Sequence, residues 1–196
     1  MDISDNIVCF SDLDEEEKRE AIEVFIEGFG HMFTFAKTKN ELTQFFTGAF
    51  EEPLMYACVS ENHVAGILGL GTNVKRAIKL DQQKCMKLFG KSKGGMVYKL
   101  LHIIAGKPAV KNADDLYIDY LATDSRMRKR GVGTKLLNFA FSLPQYKVYY
   151  IEVLSKNQTA AKLYEQLGFT VHKKKFNILT ITQGLGNPII MKKEMR

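Results

Sequence analysis

The chain has 196 residues, 45% hydrophobic and 26% charged, which fits one globular domain with its own core and argues against disorder. Lys and Arg total 28 against 22 Asp and Glu, a formal charge of +6 that favours anionic ligands without choosing among them. No run of about 18 apolar residues occurs. The acidic start, MDISDNIVCFSDLDEEEKRE, lacks a basic-then-apolar leader pattern, so a cytoplasmic protein is expected.

A first helix is expected after Ser11-Asp12-Leu13-Asp14, a stretch similar to a capping box. There Ile22, Phe25, Ile26 and Phe29 fall on one helical face, and Gly28 and Gly30 should end the helix. Leu42, Phe45, Phe46 and Ala49 mark a second helix. Residues 54–61 and 63–72 read as strands flanking Glu61-Asn62, close enough to form an antiparallel hairpin. Residues 73–106 read as a helical insert, with Val97, Leu100, Leu101 and Ile104 on one face, broken by Gly106-Lys107-Pro108.

Residues 114–123 form the next strand, followed by a helix in which Val132, Leu136 and Ala140 are four apart. KVYYIEVL, 147–154, is a continuous β-rich run of the kind buried on both faces. Ala160, Leu163, Tyr164 and Leu167 define a short helix with Gly168 at a left-handed C-terminal cap. FTVHKKKF and PIIMKKEM close the chain as strands. The alternation predicts one mixed α/β domain over residues 1–196, in which strands 114–123 and 147–154 are joined by a helical crossover and lie parallel.

Cys9, Cys58 and Cys85 form no C-x-x-C pair, and His31, His63, His102 and His172 have no ligand spacing. Reduced core thiols and no metal are therefore expected.

The stretch LATDSRMRKRGVGTKLL sets Arg126, Arg128, Lys129 and Arg130 against Gly131-Val132-Gly133 at the mouth of a helix. The first-turn N–H groups of a helix lack internal partners and carry partial positive charge, so a glycine turn there lets a phosphate approach the backbone. A capped helix with a solvated basic face is the plainer reading. The dinucleotide fingerprint fails because Leu136 stands where its third glycine belongs, and Gly90-Lys91-Ser92 lacks the earlier glycine of a Walker loop, Cys85 standing there.

Arg128-Lys129-Arg130-Gly131-Val132-Gly133 resembles the R/Q-x-x-G-x-G/A motif of the GNAT superfamily of acyl-CoA-dependent N-acetyltransferases. Downstream, Asn157 to Phe169 resembles that family's N-x-x-A-x-x-x-Y-x-x-x-G-F signature, in the same order and separation. The resemblance covers residues 114–172 by motif and the chain from about residue 5 by element order. Lys129 stands where the family often has glycine and Ser125 where it usually has proline. The 73–106 insert is longer than that of a minimal member.

The resemblance implies a GNAT fold: a mixed, mostly antiparallel central sheet flanked by helices, whose parallel fourth and fifth strands splay apart. It implies acetyl-CoA as cosubstrate, its pyrophosphate held by Arg128, Lys129, Arg130, Gly131, Val132, Gly133 and Thr134. The pantetheine arm would lie along Leu121, Ala122 and Thr123, with Asn157 on the opposite side. A backbone N–H at Leu121 or Ala122 would face the oxyanion, and Tyr164 would protonate the departing thiolate. Tyr164 also shares a face with Ala160, Leu163 and Leu167, as a core tyrosine would.

An amine of pKa ~10.4 is protonated at neutral pH and must lose a proton before attack. Asp119 occupies the family's position for a base acting directly or through water, with Glu152 in reserve; Asp119 could equally be a carboxylate paired to a nearby Lys or Arg. Tyr117 or Tyr120 would orient the acceptor. The expected reaction is direct acetyl transfer to a primary amine of a small molecule, without a covalent enzyme intermediate, since Cys58 and Cys85 have no matched histidine. The expected partner is that amine, with no nucleic acid and no membrane, and with a homodimer as the assembly to consider. The alternatives are acetylation of a protein or peptide amine, a non-catalytic acyl-CoA-binding domain, and a nucleic-acid-binding basic loop. Residues 28–33 and the insert are expected to wall the acceptor side.

Overall fold

The structure, a computed structural model, describes residues 6–195; the first five residues of the acidic N-terminal stretch and Arg196 lie outside the described residues. In chain order the elements begin with β1 (Asn6–Cys9), α1 (Glu15–Phe29), α2 (Lys39–Phe46), β2 (Met55–Ser60) and β3 (His63–Gly71). Then come α3 (Gln82–Phe89), α4 (Lys91–Ala105), β4 (Asp115–Thr123), α5 (Val132–Phe141) and β5 (Val148–Leu154). The chain closes with α6 (Gln158–Gln166), β6 (Thr170–Lys174), α7 (Ile178–Thr182) and β7 (Pro188–Glu194). Seven strands form one sheet in the order β1-β2-β3-β4-β5-β7-β6. Every pairing is antiparallel except β4 with β5, which is parallel.

The sheet separates two apolar layers. On one side Phe25, Phe45, Phe46 and Phe50 pack with Met55, Ala57 and Ile67; on the other Leu136, Leu137 and Ala140 pack with Leu68, Leu116, Ile118 and Ile151. The β2–β3 hairpin turns on Glu61 and Asn62, both at positive φ, 51° and 63°, the backbone that matches the right-handed twist of the strands it joins. No helix among the described residues is long and apolar enough to cross a membrane.

Several expectations are corrected. The cap of α1 is Asp14, which accepts from the N–H groups of Glu16 and Glu17 while Glu17 returns a bond to the Asp14 N–H. Gly28 lies inside α1 rather than ending it, because the helix crosses β4 so closely that a Cβ at Gly28 would sit 2.9 Å from the Ala122 Cβ. Residues 73–81 are not helical: their backbone is tied to the end of α2 and the loop after it through Ala77 O to the Glu51 N–H and the Lys79 N–H to Ala49 O, and the insert becomes helical only after Asp81 caps α3.

Val97 and Leu101 are buried, but Leu100 is exposed, and the side chain of Ile104 lies outside the described residues. β5 is buried on one face only, through Tyr149, Ile151 and Val153, because no helix covers Tyr150 and Glu152 on the other. The strand β1 and the short helix α7 had no periodic signal, being four and five residues long.

Candidate active site

β4 and β5 pair only from Asp115↔Val148 to Ile118↔Ile151. Both strands continue, β4 along β3 to Thr123 and β5 along β7 to Leu154. Beyond Ile118 the facing edges of residues 119–123 and 152–154 therefore have no strand partner, and a slot opens between two parallel strands in mid-sheet. Unpaired strand edges carry free N–H and C=O groups that an extended chain can satisfy.

The parting coincides with an extra residue. Opposite β4, Leu70 pairs with Ile118 and Gly69 with Tyr120, so Asp119 is a β-bulge. A bulge resets the alternation of side chains. Here it puts Tyr117, Asp119 and Tyr120 all on the α1 side, while Ile118 and Leu121 face α5. Tyr120 is gripped edge-on by Phe25 and Phe29, at 5.0 and 5.3 Å between ring centroids.

Asp119 is not placed to act as a base. Its side chain is 0% exposed, and its oxygens accept from Arg76 Nε at 2.7 and 2.9 Å and from the Ala77 N–H at 2.9 Å. Burial lifts its pKa above the usual carboxylate range against the pull of Arg76, which favours the charged form. Of the two readings open to it in the sequence, the paired one matches its contacts: its carboxylate is engaged by Arg76 and by the Ala77 N–H.

Glu152, two residues beyond Tyr150 on β5, lies on the same face and is part-exposed. It is held only by Lys175 at 2.9 Å, a pair whose side chains are 44% and 36% exposed and which therefore opens at little cost. Burial raises the pKa of Tyr117, and the charge of Glu152 raises it further.

The basic loop closes the open end. Asp124 caps a 3₁₀ turn, Ser125–Met127, by accepting from the Arg126 N–H and pairing with its guanidinium; this supplies the turn at Ser125 without proline. Lys129 adopts φ 62° despite its Cβ, so the loop keeps a glycine-like path where the motif departs from glycine, at the modest cost of a left-handed residue. Gly131, at φ 83°, is the N-cap of α5 with no side-chain cap bond, and a Cβ there would meet nothing within 4 Å.

The first bond returning to the start of α5 is from the Lys135 N–H to Gly131 O, which leaves the N–H groups of Val132, Gly133 and Thr134 for a ligand. A Cβ on Gly133 would lie 3.6 Å from Leu163, 3.8 Å from Thr123 Oγ1 and 4.0 Å from Leu121, so this helix start stands over the slot. Among the four basic residues, Arg126 is engaged by Asp124 and Arg128 by Glu27 at 3.4 Å; Lys129 and Arg130 have no ion pair among the described residues.

Asn157 caps α6 through its Oδ1, accepting from the Ala160 N–H at 3.1 Å, so only its amide nitrogen remains for a ligand. Tyr164 is 6% exposed, packs against Phe169, and has no hydrogen-bond partner for its hydroxyl among the described residues. Burial pushes its pKa up to about 12. Arg76, which no motif marked, is the functional neighbour that sequence reading missed; a lone arginine in an aperiodic loop carries no signal until the fold sets it beside Asp119.

Residues 95–171 match the family model described as an acetyltransferase (GNAT) domain. Three solved structures share the fold over nearly the whole chain. An N-acetyltransferase from Staphylococcus aureus Mu50 is 17% identical, with 96% of this chain and 100% of that one aligned and a TM-score of 0.63. The histone acetyltransferase HPA2 and related acetyltransferase of Corynebacterium glutamicum gives 18%, 99% and 98%, and 0.66. The ribosomal-protein-S18-alanine N-acetyltransferase of Escherichia coli gives 17%, 97% and 93%, and 0.57. No curated protein matches the chain by sequence.

Proposed function

We propose that the chain, which matches a GNAT acetyltransferase domain over residues 95–171, transfers an acetyl group from acetyl-CoA directly to the primary amine of a small molecule. The observation that carries this reading is the parting of β4 from β5 after Ile118 and Ile151, with the uncapped start of α5 standing over it. The slot offers backbone groups to the amides of a pantetheine arm, and the helix start offers three N–H groups to a pyrophosphate. Val132, Gly133 and Thr134 bind through their backbones, Lys129 and Arg130 add charge, and the free amide of Asn157 closes the far side.

Glu152 takes the proton of the amine, through a water where the distance requires it. The nitrogen then attacks the thioester carbon while a backbone N–H at Leu121 or Ala122 donates to the oxygen that gains charge. As the C–S bond breaks, the Tyr164 hydroxyl donates to the sulfur. A cleft of about 420 Å³ between the end of α1 and the start of α2, lined by Glu27, Gly30, His31 and Lys37, is of small-ligand size, and small amines are therefore the first acceptors to assay. The Escherichia coli relative is named for a protein acceptor, so peptide amines belong in the same assay. Cys9, Cys58 and Cys85 are not joined by a disulfide, in keeping with a cytoplasmic setting.

Thiol release from acetyl-CoA, measured against polyamines, aminoglycosides, amino acids and peptide amines, tests the reading. An amine-dependent release with a small acceptor is expected. Coenzyme A binding without release for any amine would make the chain a binding domain.

The phosphate loop gives a separate prediction. Gly131→Val forces a β-branched side chain into the left-handed region and turns the loop away from the phosphate. The loss of one hydrogen bond to a charged group, about 2 kcal/mol, weakens coenzyme A roughly 30-fold. Calorimetry showing an unchanged Kd in the folded variant would remove the loop from the phosphate site.

A further inference from the structure

We propose that Arg76 is a positioning residue: through it the insert holds the β4 bulge in one geometry and so aims the backbone amides that face the slot. The inference rests on the acetyl-transfer reading above, but its evidence is separate. Arg76 lies outside the stretch matched by the family model, which begins at residue 95.

One guanidinium meets three parts of the chain. It engages Asp119 through Nε, at 2.7 and 2.9 Å, and through a terminal nitrogen at 2.6 Å. Its other terminal nitrogen donates to Lys107 O at 3.4 Å. Arg76 stands where the insert leaves β3, and Lys107 where it returns toward β4. The side chain therefore ties both ends of the insert to the residue at which β4 is bulged. Beneath it the Tyr117 ring lies 5.4 Å from the guanidinium carbon, a cation–π support that a part-desolvated arginine uses well.

The seat is built on the β3 side as well. A Cβ on Gly71 would lie 3.0 Å from both carboxylate oxygens of Asp119, so the carboxylate rests against bare β3 backbone. The Ala77 N–H supplies the remaining hydrogen bond at 2.9 Å.

The consequence is geometric. An extra strand residue is left out of the ladder and can relax in more than one way. Here the side chain of Asp119 is fully enclosed while the residue as a whole is part-exposed, which puts the exposure on its backbone. The carboxylate is the anchor and the backbone faces the slot. Tyr120, Leu121 and Ala122 follow directly, and their amides are aimed by how the bulge sits. A planar fork with several donors fixes such a seat; an ammonium on a flexible stem does not.

The test uses the full chain. Arg76→Lys keeps the charge and loses the fork. The neutral pair Arg76→Gln with Asp119→Asn avoids leaving one buried charge alone, which by itself could unfold the protein. With folding checked by circular dichroism, both are expected to lower kcat about tenfold at saturating amine while the Kd for coenzyme A stays within about twofold, as follows from misaiming groups without removing binding contacts.

Amide hydrogen exchange at Tyr120 to Ala122 is expected to quicken in both variants. A merely structural pair would lower the melting temperature and leave kcat and exchange at those amides near wild type, and that result in either folded variant overturns the proposal. If the wild-type chain binds coenzyme A and transfers to no amine, the acetyl-transfer reading fails alone. The exchange measurement then decides: quickened exchange in Arg76→Lys supports the tie, and unchanged exchange overturns it.

Discussion

Tyr164→Phe is expected to lower kcat for acetyl transfer by about 10² to 10⁴, the usual worth of a general acid, with the Kd for acetyl-CoA changed by no more than about twofold. The substitution keeps the ring against Phe169 and deletes a hydroxyl that has no partner among the described residues, so little packing is lost. With its pKa pushed up to about 12 by burial, the phenol is neutral around neutral pH and holds its proton more tightly than a thiol does. Donation therefore becomes effective late, as the C–S bond breaks and the newly acylated nitrogen releases a proton that can restore the phenol. A water standing in for the hydroxyl would bring the loss toward the lower figure. The decisive measurement is kcat at saturating amine and at a pH where that amine is already neutral, which isolates departure of the thiolate; a value equal to wild type there would leave Tyr164 as a core residue.

Sequence reading reached the parts of the site that depend on local chain order. Gly168 announces a left-handed position, and the structure has it at φ 86°. The two signatures stand at the ends of a strand–helix–strand crossover, and such a crossover compels β4 and β5 to be parallel. What sequence reading missed depends on contacts between distant residues. Gly28 looks like a helix breaker in a one-dimensional pattern, yet it is a point of close approach to Ala122. Asp119 looks like a base at a family position; its role is decided by Arg76, forty-three residues earlier, in a loop whose apparent helical pattern was no more than composition. The face exposed on β5 could not be read from KVYYIEVL, because a run apolar enough for two buried faces says nothing about whether a helix arrives to cover the second. At Glu152 that missing cover leaves an exposed carboxylate on a strand that borders the slot.

Glu152→Gln is accordingly expected to lower kcat/KM for a protonated primary amine by about 10² at neutral pH, the lower end of general-base contributions because a bridging water relays the proton. The sign of the pH dependence follows from the acceptor. An amine of pKa ~10.4 is almost wholly charged at pH 7 and must be deprotonated in the site, whereas near its own pKa a growing fraction arrives neutral and needs no base. The gap between Glu152→Gln and wild type should therefore be widest near neutrality and close as the pH rises. Lys175 offers an internal control: Lys175→Met frees Glu152 from its surface pair without removing the carboxylate, so kcat/KM should change little, in keeping with the small worth of exposed ion pairs. The neutral pair Arg76→Gln with Asp119→Asn should behave differently again, with a loss that does not recover at alkaline pH, because the Asp119 carboxylate holds the bulge and does not carry the proton. A Glu152→Gln profile parallel to wild type at all pH values, with the Arg76→Gln, Asp119→Asn pair recovering instead, would return the base to Asp119.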